Sequence, residues 1–318
     1  MRSPIRATLL SLLTTLALAA CTGGGASPTP APASPTSAPS VGSVAPATPS
    51  PAANPCASAN LTLIAPGKLT IGTDNPAYPP YFGIPAAGSA TPPWELGDPT
   101  NGKGFESAFA YALAKQFGFS TDQVSWIVVP FDNSYAPGVK PFDIDVNQVS
   151  YTADRAAAVD LSDGYYTLNQ SIVALKANPL AKATSIAALK AFKFGAQVGT
   201  TSLNTINTVI APTTPAKVYN SNDDAIAGLK GKLIDGLVVD LPTAFYVTAA
   251  QVDNSVVVGQ FAAPTGADAE HFSVVLGKGS PMTACVNSAI AAMKTAGTLD
   301  SITKEWLSDK AAAPVFLP

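Results

Sequence analysis

Strand-like and helix-like patterns alternate along the chain from about residue 61 to its end, and this alternation constrains the fold more than any other feature. Short apolar segments bounded by turn residues predict strands, and apolar residues at helical spacing predict helices. A chain that alternates in this way builds largely parallel sheets that helices cover on both faces. Ligands of such α/β folds bind at the carboxyl ends of the strands, so the residues after each strand are candidate site residues. The predicted strands are 68–73, 124–129, 142–147, 193–197, 236–239, 256–258 and 272–276, and the predicted helices are 105–117, 185–191, 223–230, 241–250, 285–296 and 299–307.

The first twenty residues have the pattern of an export signal. Arg2 and Arg6 precede the apolar stretch 7–20, which is too short for a stable membrane anchor. The sequence Leu-Ala-Ala-Cys at 18–21 resembles the lipobox of bacterial lipoproteins. This resemblance implies that residues 1–20 are removed and that Cys21 is lipidated, and an ordinary secretory signal with an incidental cysteine is the alternative. We therefore expect an extracytoplasmic protein that is lipid-anchored to the outer face of the cell membrane.

Residues 21–60 are predicted to form a tether after the lipidated cysteine. The segment is almost wholly Pro, Ala, Ser, Thr and Gly, and it contains no charged residue and no aromatic residue. Such a segment buries too little apolar surface to offset the entropy lost on ordering. The folded body then covers 61–318, which is long enough for two lobes.

The net charge of the chain argues against nucleic acid as a partner. The chain has 18 basic and 21 acidic residues, and removal of Arg2 and Arg6 leaves a net charge of −5. A protein of this charge with no basic patch does not have the electrostatic footprint of a nucleic-acid-binding protein.

The cysteines predict one disulfide. Once Cys21 carries lipid, Cys56 and Cys285 remain, and two cysteines in an oxidising compartment most often pair. A metal site is not expected, because His271 is the only histidine and one histidine does not build a zinc site of the usual kind. No cofactor is expected.

Arg155 is the candidate group for binding an anion. It follows the predicted strand 142–147 and stands three residues after Thr152, a predicted helix cap. A guanidinium pairs with a carboxylate through two parallel hydrogen bonds, which suits a small acid. The alternative is an arginine that only pairs with a nearby aspartate, at position 154, 160 or 163.

Four predicted strand ends carry polar residues that together suit a zwitterion. Arg155 and the helix start after strand 193–197 attract an anion, and the carboxylate of Asp240 attracts a cation. An α-amino acid fits this arrangement. Alternatives exist for single residues: Asp240 could cap the helix after it, Asp74 could serve a turn, and Tyr78 could pack in the core. The candidate ligand-binding residues are Asp74, Tyr78, Gln148, Ser150, Arg155, Thr200, Thr201 and Asp240.

Six segments between residues 69 and 306 resemble the extracellular solute-binding proteins of ABC importers, in the family that binds polar amino acids. In chain order they are TDNPAYPPYF, GKGFESAFAYALAKQFGF, FDIDVNQVSYTADRAAAVDLSDGYY, FGAQVGTTSL, SNDDAIAGLKGKLIDGLVVD and GTLDSITKEWL. The resemblance implies an α/β fold, a two-lobe periplasmic-binding-protein-like clamp of type II with two crossover strands. Each lobe is then a mostly parallel sheet flanked by helices. Lobe 1 would comprise 61–166 and the return segment 271–318, and lobe 2 would comprise 167–270.

The same resemblance implies roles for the candidate residues. Arg155 would bind the α-carboxylate with help from Thr200 and Thr201, and Asp240 would bind the α-amino group. The ligand side chain would contact Asp74 and Tyr78, and the amino-group side would be lined by Gln148 and Ser150. The implied partners are an amino acid and a membrane permease, with the binding protein a monomer. Segment 84–103, longer than the family needs, is expected to be either a lid over the cleft or a surface loop.

Two other functions remain open on this fold. The first is an exported dehydratase-like enzyme acting on small acids, which needs a positioned general acid or base. The chain offers one histidine and four glutamates for that role, and no nucleophile arrangement is recognisable, so we expect a protein that is not an enzyme. The second is the ligand-sensing subunit of a signalling receptor.

Overall fold

The structure is a computed structural model, and it describes residues 54–87, 89, 91–262, 269–307 and 313–318. The predicted signal peptide, Cys21 and most of the predicted tether lie outside these ranges. The strands are β1 (Leu69–Thr73), β2 (Val124–Val128), β3 (Ile144–Asp145), β4 (Asp160–Leu161), β5 (Tyr166–Thr167), β6 (Gln170–Leu175), β7 (Phe194–Gln197), β8 (Lys217–Tyr219), β9 (Gly236–Asp240), β10 (Ser255–Gln260), β11 (His271–Phe272) and β12 (Val275–Leu276). The helices are α1 (Phe105–Gln116), α2 (Phe131–Tyr135), α3 (Ala153–Ala158), α4 (Ile186–Leu189), α5 (Thr201–Thr205), α6 (Asn222–Lys230), α7 (Leu241–Tyr246), α8 (Thr283–Thr295) and α9 (Thr298–Trp306).

Two five-stranded sheets define two lobes. The first lobe is built on the order β2-β1-β3-β12-β4, and the second lobe on the order β10-β6-β9-β7-β8. The chain passes between them through β5 and β11, which pair antiparallel with His271 opposite Thr167. The two lobes and the two crossover strands agree with the architecture expected from the sequence.

Each sheet is mixed rather than mostly parallel. In the first lobe β1 pairs parallel with β2 and β3, whereas β12 pairs antiparallel with β3 and β4. In the second lobe β7, β8 and β9 are parallel, and β6 is antiparallel to both β9 and β10. A parallel pair needs a long crossover connection, usually a helix. Strands β6 and β12 follow the crossover strands with no helix between, and they run antiparallel to their neighbours.

Helix α1 shows how the local pattern produces the first core. Phe105, Phe109 and Leu113 recur at a spacing of four residues, lie on one helix face, and are fully buried. Helix α1 contacts α8 and α9 on the outside of the first sheet. Phe109 stacks on Tyr165, with ring centroids 4.3 Å apart. The apolar face of this helix therefore closes one side of the first lobe.

The predicted disulfide between Cys56 and Cys285 is present, with the two Cα atoms 5.4 Å apart. It joins the segment before β1 to α8; Cys285 belongs to the apolar core of the first lobe, and the partly buried Cys56 packs against that core. Residues 54–60, which the sequence predicts to be part of the tether, instead pack on the folded body. The amide of Ser58 donates to the carbonyl of Phe117 at 2.7 Å, and the disulfide holds the segment in place.

Residues 313–318 pack on the second lobe, whereas the sequence placed them in the return segment of the first lobe. The side chain of Phe316 is buried, with its ring centroid 5.1 Å from that of Phe261. The amide of Gln260 donates to the carbonyl of Pro314 at 2.7 Å, and the amide of Phe316 donates back to the carbonyl of Gln260 at 3.0 Å. A Cβ atom on Gly259 would lie 2.8 Å from the Phe316 ring, so this close approach requires glycine.

The described residues of segment 84–103 pack against the first lobe. Trp94 is buried in the core of that lobe. The side-chain amide of Asn75 donates to the carbonyl of Pro93 at 3.0 Å, and the amide of Gly97 donates to the carbonyl of Ala77 at 2.9 Å. The segment therefore supports the loop that follows β1. Within the ranges that the structure describes, no helix combines the length and the apolarity needed to cross a membrane.

Candidate functional site

A cavity lies between the two lobes at the carboxyl ends of β1, β7 and β9. Seven of the eight candidate ligand-binding residues line it, and Ser150 is the exception. The residues 84–103 that the structure describes do not line it. The lining residues are Thr73, Asp74, Pro76, Ala77, Tyr78, Phe82, Phe131, Asn147, Gln148 and Arg155 from the first lobe, and Gln197, Thr200, Thr201, Ser202, Asn222, Val239, Asp240 and Thr243 from the second.

The cap of helix α3 positions Arg155. The hydroxyl of Thr152 accepts from the amide of Arg155 at 3.1 Å, as predicted for a helix cap. The buried guanidinium donates from Nη1 to the carbonyl of Ser150 at 2.6 Å and from Nη2 to the carbonyl of Gly199 at 2.8 Å. Arg155 forms no ion pair with any described carboxylate; the ion pair found among the described residues joins Lys278 and Asp160. The alternative of an arginine neutralised by a nearby aspartate is therefore wrong.

Two aromatic rings pack on Arg155 and were not anticipated from the sequence. The guanidinium carbon lies 4.4 Å from the ring centroid of Tyr135 and 5.4 Å from that of Phe131. Both rings belong to α2, a helix that was not predicted from the sequence. Their spacing of four residues on one helix face was the available signal. The flat guanidinium is thereby held against an aromatic surface, which restricts its orientation.

Asp240 ends β9 and stands at the cap position of α7, but its side chain makes no capping hydrogen bond. The carboxylate of Asp240 therefore does not cap the helix, and that alternative is wrong. Asp240 Oδ1 instead accepts from the side-chain amide of Gln170 at 2.6 Å. Burial, together with the nearby carboxylate of Glu270, raises the pKa of Asp240 to about 8.

Gln170 and Glu270 do not line the cavity, but Gln170 contacts three residues that do, and neither Gln170 nor Glu270 was predicted from the sequence. Gln170 begins β6, a strand that was not assigned, and its side-chain oxygen accepts from the hydroxyl of Ser202 at 2.6 Å. Its amide nitrogen lies 3.3 Å from the hydroxyl of Thr201 and 3.1 Å from Glu270 Oε1. Ser150, behind the cavity, donates from its hydroxyl to Glu270 Oε1 at 2.7 Å. The position of Glu270 just before the crossover strand β11 was the one available signal.

Gln148 is held in a left-handed backbone conformation, with φ of 49°. Such a conformation is uncommon for a residue other than glycine and persists only where the surroundings fix it. Here the fully buried carboxylate of Glu106 accepts from the backbone amide of Gln148 at 2.8 Å. It also accepts from the Gln148 side chain and from the hydroxyl of Tyr165. Burial raises the pKa of Glu106 to about 7.

Thr200 caps helix α5, because its hydroxyl accepts from the amide of Leu203 at 3.1 Å. That hydroxyl also donates to the carbonyl of Gln197 at 2.7 Å. The hydroxyl of Thr200 is therefore already paired within its own loop and helix. Among the described residues, the hydroxyl of Thr201 has one hydrogen-bond contact, with the side-chain nitrogen of Gln170 at 3.3 Å.

The far end of the cavity is lined by Asp74 and Tyr78. Burial raises the pKa of Asp74 to about 6, and the nearby Asp132 adds to that effect. Burial and the proximity of Asp223 raise the pKa of Tyr78 as well. The loop that carries Tyr78 presents a polar, partly acidic surface at this end.

Three residues that line the cavity have a buried polar atom with no hydrogen-bond partner among the described residues. These atoms are the hydroxyl oxygens of Thr73 and Tyr78 and the side-chain nitrogen of Asn147. Buried polar groups are normally paired, so these atoms are available to a bound molecule. No group of three or more metal-ligating side chains occurs within the described ranges. The cavity thus offers a cationic group, a carboxylate and unpaired polar atoms to one small molecule.

Known proteins resemble this chain over most of its body. Residues 85–309 match the bacterial extracellular solute-binding proteins, family 3. The arginine-binding extracellular protein ArtP of Bacillus subtilis (strain 168) is 25% identical over 223 residues, which cover 68% of this chain and 82% of ArtP. A solved ancestral arginine-binding protein bound to glutamine is 28% identical, with a TM-score of 0.60, over 76% of this chain and 99% of its own. The ancestral amino acid-binding protein AncCDT-1, a precursor of cyclohexadienyl dehydratase, is 27% identical, with a TM-score of 0.59, over 76% of this chain and 96% of its own. The match over residues 85–309 means that the chain belongs to the bacterial extracellular solute-binding proteins, family 3.

Proposed function

We propose that the protein captures a polar α-amino acid in the cavity between its lobes and delivers it to an ABC importer in the membrane. The observation that carries the proposal is that Arg155 of the first lobe and Asp240 of the second line one cavity. A zwitterion needs one group of each sign, and this pair supplies them. Family membership and the arginine-binding and amino acid-binding relatives support the same ligand class.

The carboxylate of the ligand binds at Arg155. A guanidinium has five N–H donors, and the carbonyls of Ser150 and Gly199 occupy two of its nitrogens. The remaining donors are available for a carboxylate, which is the pairing that best suits the guanidinium fork. The rings of Tyr135 and Phe131 keep the fork in place, so little rotamer entropy is lost when the ligand binds.

The ammonium group of the ligand binds at Asp240, whose carboxylate makes no helix-capping hydrogen bond. The ligand side chain then extends towards Asp74 and Tyr78. The polar lining at that end, which includes the unpaired atoms of Thr73 and Asn147, favours a side chain that can form hydrogen bonds. An apolar side chain would leave those atoms buried and unpaired, at a cost of about 1–3 kcal/mol each.

Capture and delivery are coupled through lobe closure. A ligand held by Arg155 in one lobe and by Asp240 in the other binds the closed state more tightly than the open state, so it shifts the population towards closure. A permease that recognises the closed shape receives the ligand. We propose a monomer that is tethered outside the cell through lipid on Cys21.

The two alternatives are distinguishable by experiment. A dehydratase-like enzyme would turn over a small acid, and a binding protein would not. The sensing subunit of a receptor would co-purify with a kinase, and the proposed function requires co-purification with a permease.

The proposed function is tested by thermal unfolding of residues 22–318 after the protein has been unfolded and refolded to remove bound ligand. Each of the twenty amino acids is added, with small carboxylic acids that lack an amine as controls. A ligand at 100 times its dissociation constant adds about 2.7 kcal/mol of stability, a shift of a few degrees. We expect a shift with one or a few polar amino acids and none with the amine-free acids. No shift with any amino acid would refute the proposal.

A further inference from the structure

A second carboxylate lies beside Asp240 and has no role in the function described so far. The side-chain nitrogen of Gln170 lies 2.6 Å from Asp240 Oδ1 and 3.1 and 3.2 Å from the two oxygens of Glu270. One amide group, with two hydrogens, thus stands between two carboxyl groups. Within the described ranges, the other side chain that donates to Glu270 is Ser150, whose hydroxyl lies at 2.7 Å. Together Gln170 and Ser150 supply three hydrogens to the four oxygens of Asp240 and Glu270.

The charged surroundings do not neutralise two carboxylates. Among the described residues, Arg155 is the cation that acts on both Asp240 and Glu270, and it donates to the carbonyls of Ser150 and Gly199 rather than to either carboxyl group. His271, next to Glu270 in the chain, turns its Nδ1 to the carbonyl of Ala269 at 2.9 Å. The other ionisable groups that act on Asp240 from neighbouring elements are Glu106, Tyr81 and Tyr166.

Two partly buried carboxyl groups that share so few donors resist simultaneous ionisation, because their like charges repel. A ligand ammonium group adds the missing positive charge and three more donors. In the empty cleft there is one positive charge too few to balance two carboxylates. When an ammonium group is bound, a proton on either carboxyl group is in excess.

We propose that Asp240 and Glu270 form a carboxyl pair that holds one proton in the empty cleft and releases it to solvent when the ammonium group of a ligand binds. The proton balance is simple: the empty pair carries one proton and one negative charge, and the occupied pair carries two negative charges and no proton. This inference rests on the proposed function, and it adds Glu270 as a second residue that selects a cationic group.

The raised pKa of Asp240, about 8, agrees with a proton held in the empty site. Because the proton must leave before or as the ammonium group binds, binding strengthens as pH rises towards that value. The dissociation constant should fall by up to tenfold per pH unit below about pH 8 and should level off as pH approaches that value. A ligand without an amine should show no such gain.

The pair is tested first in the empty protein. The side-chain carboxyl carbons of Asp and Glu are labelled with ¹³C and titrated by NMR in residues 22–318, and the Asp240 signal is assigned by its loss in Asp240→Asn. We expect Asp240 to titrate at least two pH units above the ordinary aspartate range, and Glu270→Gln to lower that value by a unit or more. An ordinary wild-type titration, or one that Glu270→Gln does not move, would overturn the proposal.

Proton release is tested by calorimetry with L-glutamine and L-arginine as probes, at pH 6.5, in buffers of different ionisation enthalpy. We expect close to one proton released per bound probe in the wild type and in Glu305→Gln, a control at an exposed carboxylate of α9, and almost none in Glu270→Gln. Binding without proton release in the wild type would overturn the proposal whatever the variants do. If neither probe binds, the proposed capture of amino acids is wrong for these two ligands. The NMR titration of the empty protein still decides whether the carboxyl pair exists.

Discussion

Arg155 of the first lobe donates a hydrogen bond from Nη2 to the carbonyl oxygen of Gly199 in the second lobe, at 2.8 Å. The hydroxyl groups of Tyr81 and Thr243 form a second contact between the lobes, at 3.2 Å. The residue proposed to bind the ligand carboxylate is thus also a direct link between the lobes. Under the proposed function, Arg155 therefore couples occupancy of the cleft to closure of the clamp.

The Arg155→Ala variant should lose about 2–5 kcal/mol of amino acid binding, because a desolvated carboxylate is left unpaired. Isothermal titration of the amino acid that gives the largest thermal shift measures the loss. Lys230→Ala, at an exposed cation that ends α6, is the matched control and should bind as the wild type does. Unchanged affinity in Arg155→Ala would remove the central residue of the proposed site.

The Asp240→Asn variant should weaken binding of the amino acid but not of an analogue in which the amino group is replaced by hydrogen. Asparagine keeps the size of the side chain and removes the charge that attracts the ammonium group. Competition titrations with both compounds measure the two affinities. Equal losses for the amino acid and the amine-free analogue would show that Asp240 does not recognise the amino group.

The double variant Cys56→Ser/Cys285→Ser should be about 2–5 kcal/mol less stable, because the disulfide restricts the unfolded chain. Ligand affinity should not change, since both cysteines pack in or against the core of the first lobe and neither lines the cavity. Urea unfolding gives the stability, and calorimetry gives the affinity. A large loss of affinity in the folded variant would mean that the disulfide also controls the cleft.

The Phe316→Ala variant should lower the free energy of unfolding by about 3–5 kcal/mol, because it empties a packed position in the second lobe. Leu317→Ala is the control: that side chain is 63% exposed, and the change should lie within about 0.5 kcal/mol of zero. Urea unfolding of both variants measures the difference. Equal effects would mean that the 313–318 segment contributes through its backbone alone.

The Glu106→Gln variant should change how stability depends on pH. Burial raises the pKa of Glu106 from 4.5 to about 7, so between these pH values the folded state binds more protons than the unfolded state. The free energy of unfolding therefore falls as pH rises through that window, by at most about 3 kcal/mol from this group. The variant has no such carboxyl group and should lose less stability between pH 4.5 and 7.

Urea unfolding of wild type and Glu106→Gln at several pH values measures this difference. Glu305→Gln, at an exposed position on α9, should keep the wild-type profile. Parallel profiles for wild type and Glu106→Gln would show that Glu106 does not titrate in this window.

Local patterns predicted the elements that depend on near neighbours in the chain. The spacing of apolar residues identified α1, and the position of Thr152 identified the cap that orients Arg155. The short strands β4, β5 and β8 were missed, and the predicted strand 272–276 is divided between β11 and β12. Strand β6, whose residues are buried on both faces, was also missed. A strand buried on both faces lacks the alternation of polar and apolar residues that marks a half-buried strand.

The sequence by itself determined the family, the alternation of strands and helices, the disulfide partners and seven residues that line the cavity. Only the tertiary structure placed Glu270 beside Asp240, the ring of Tyr135 on Arg155, and residues 313–318 on the second lobe. These contacts join positions far apart in the chain; Ser150 and Glu270, for example, are separated by 120 residues. Periodicity and capping report the surroundings of one element, whereas long-range contacts depend on how separate elements pack. The proposed carboxyl pair of Asp240 and Glu270 depends on such long-range contacts.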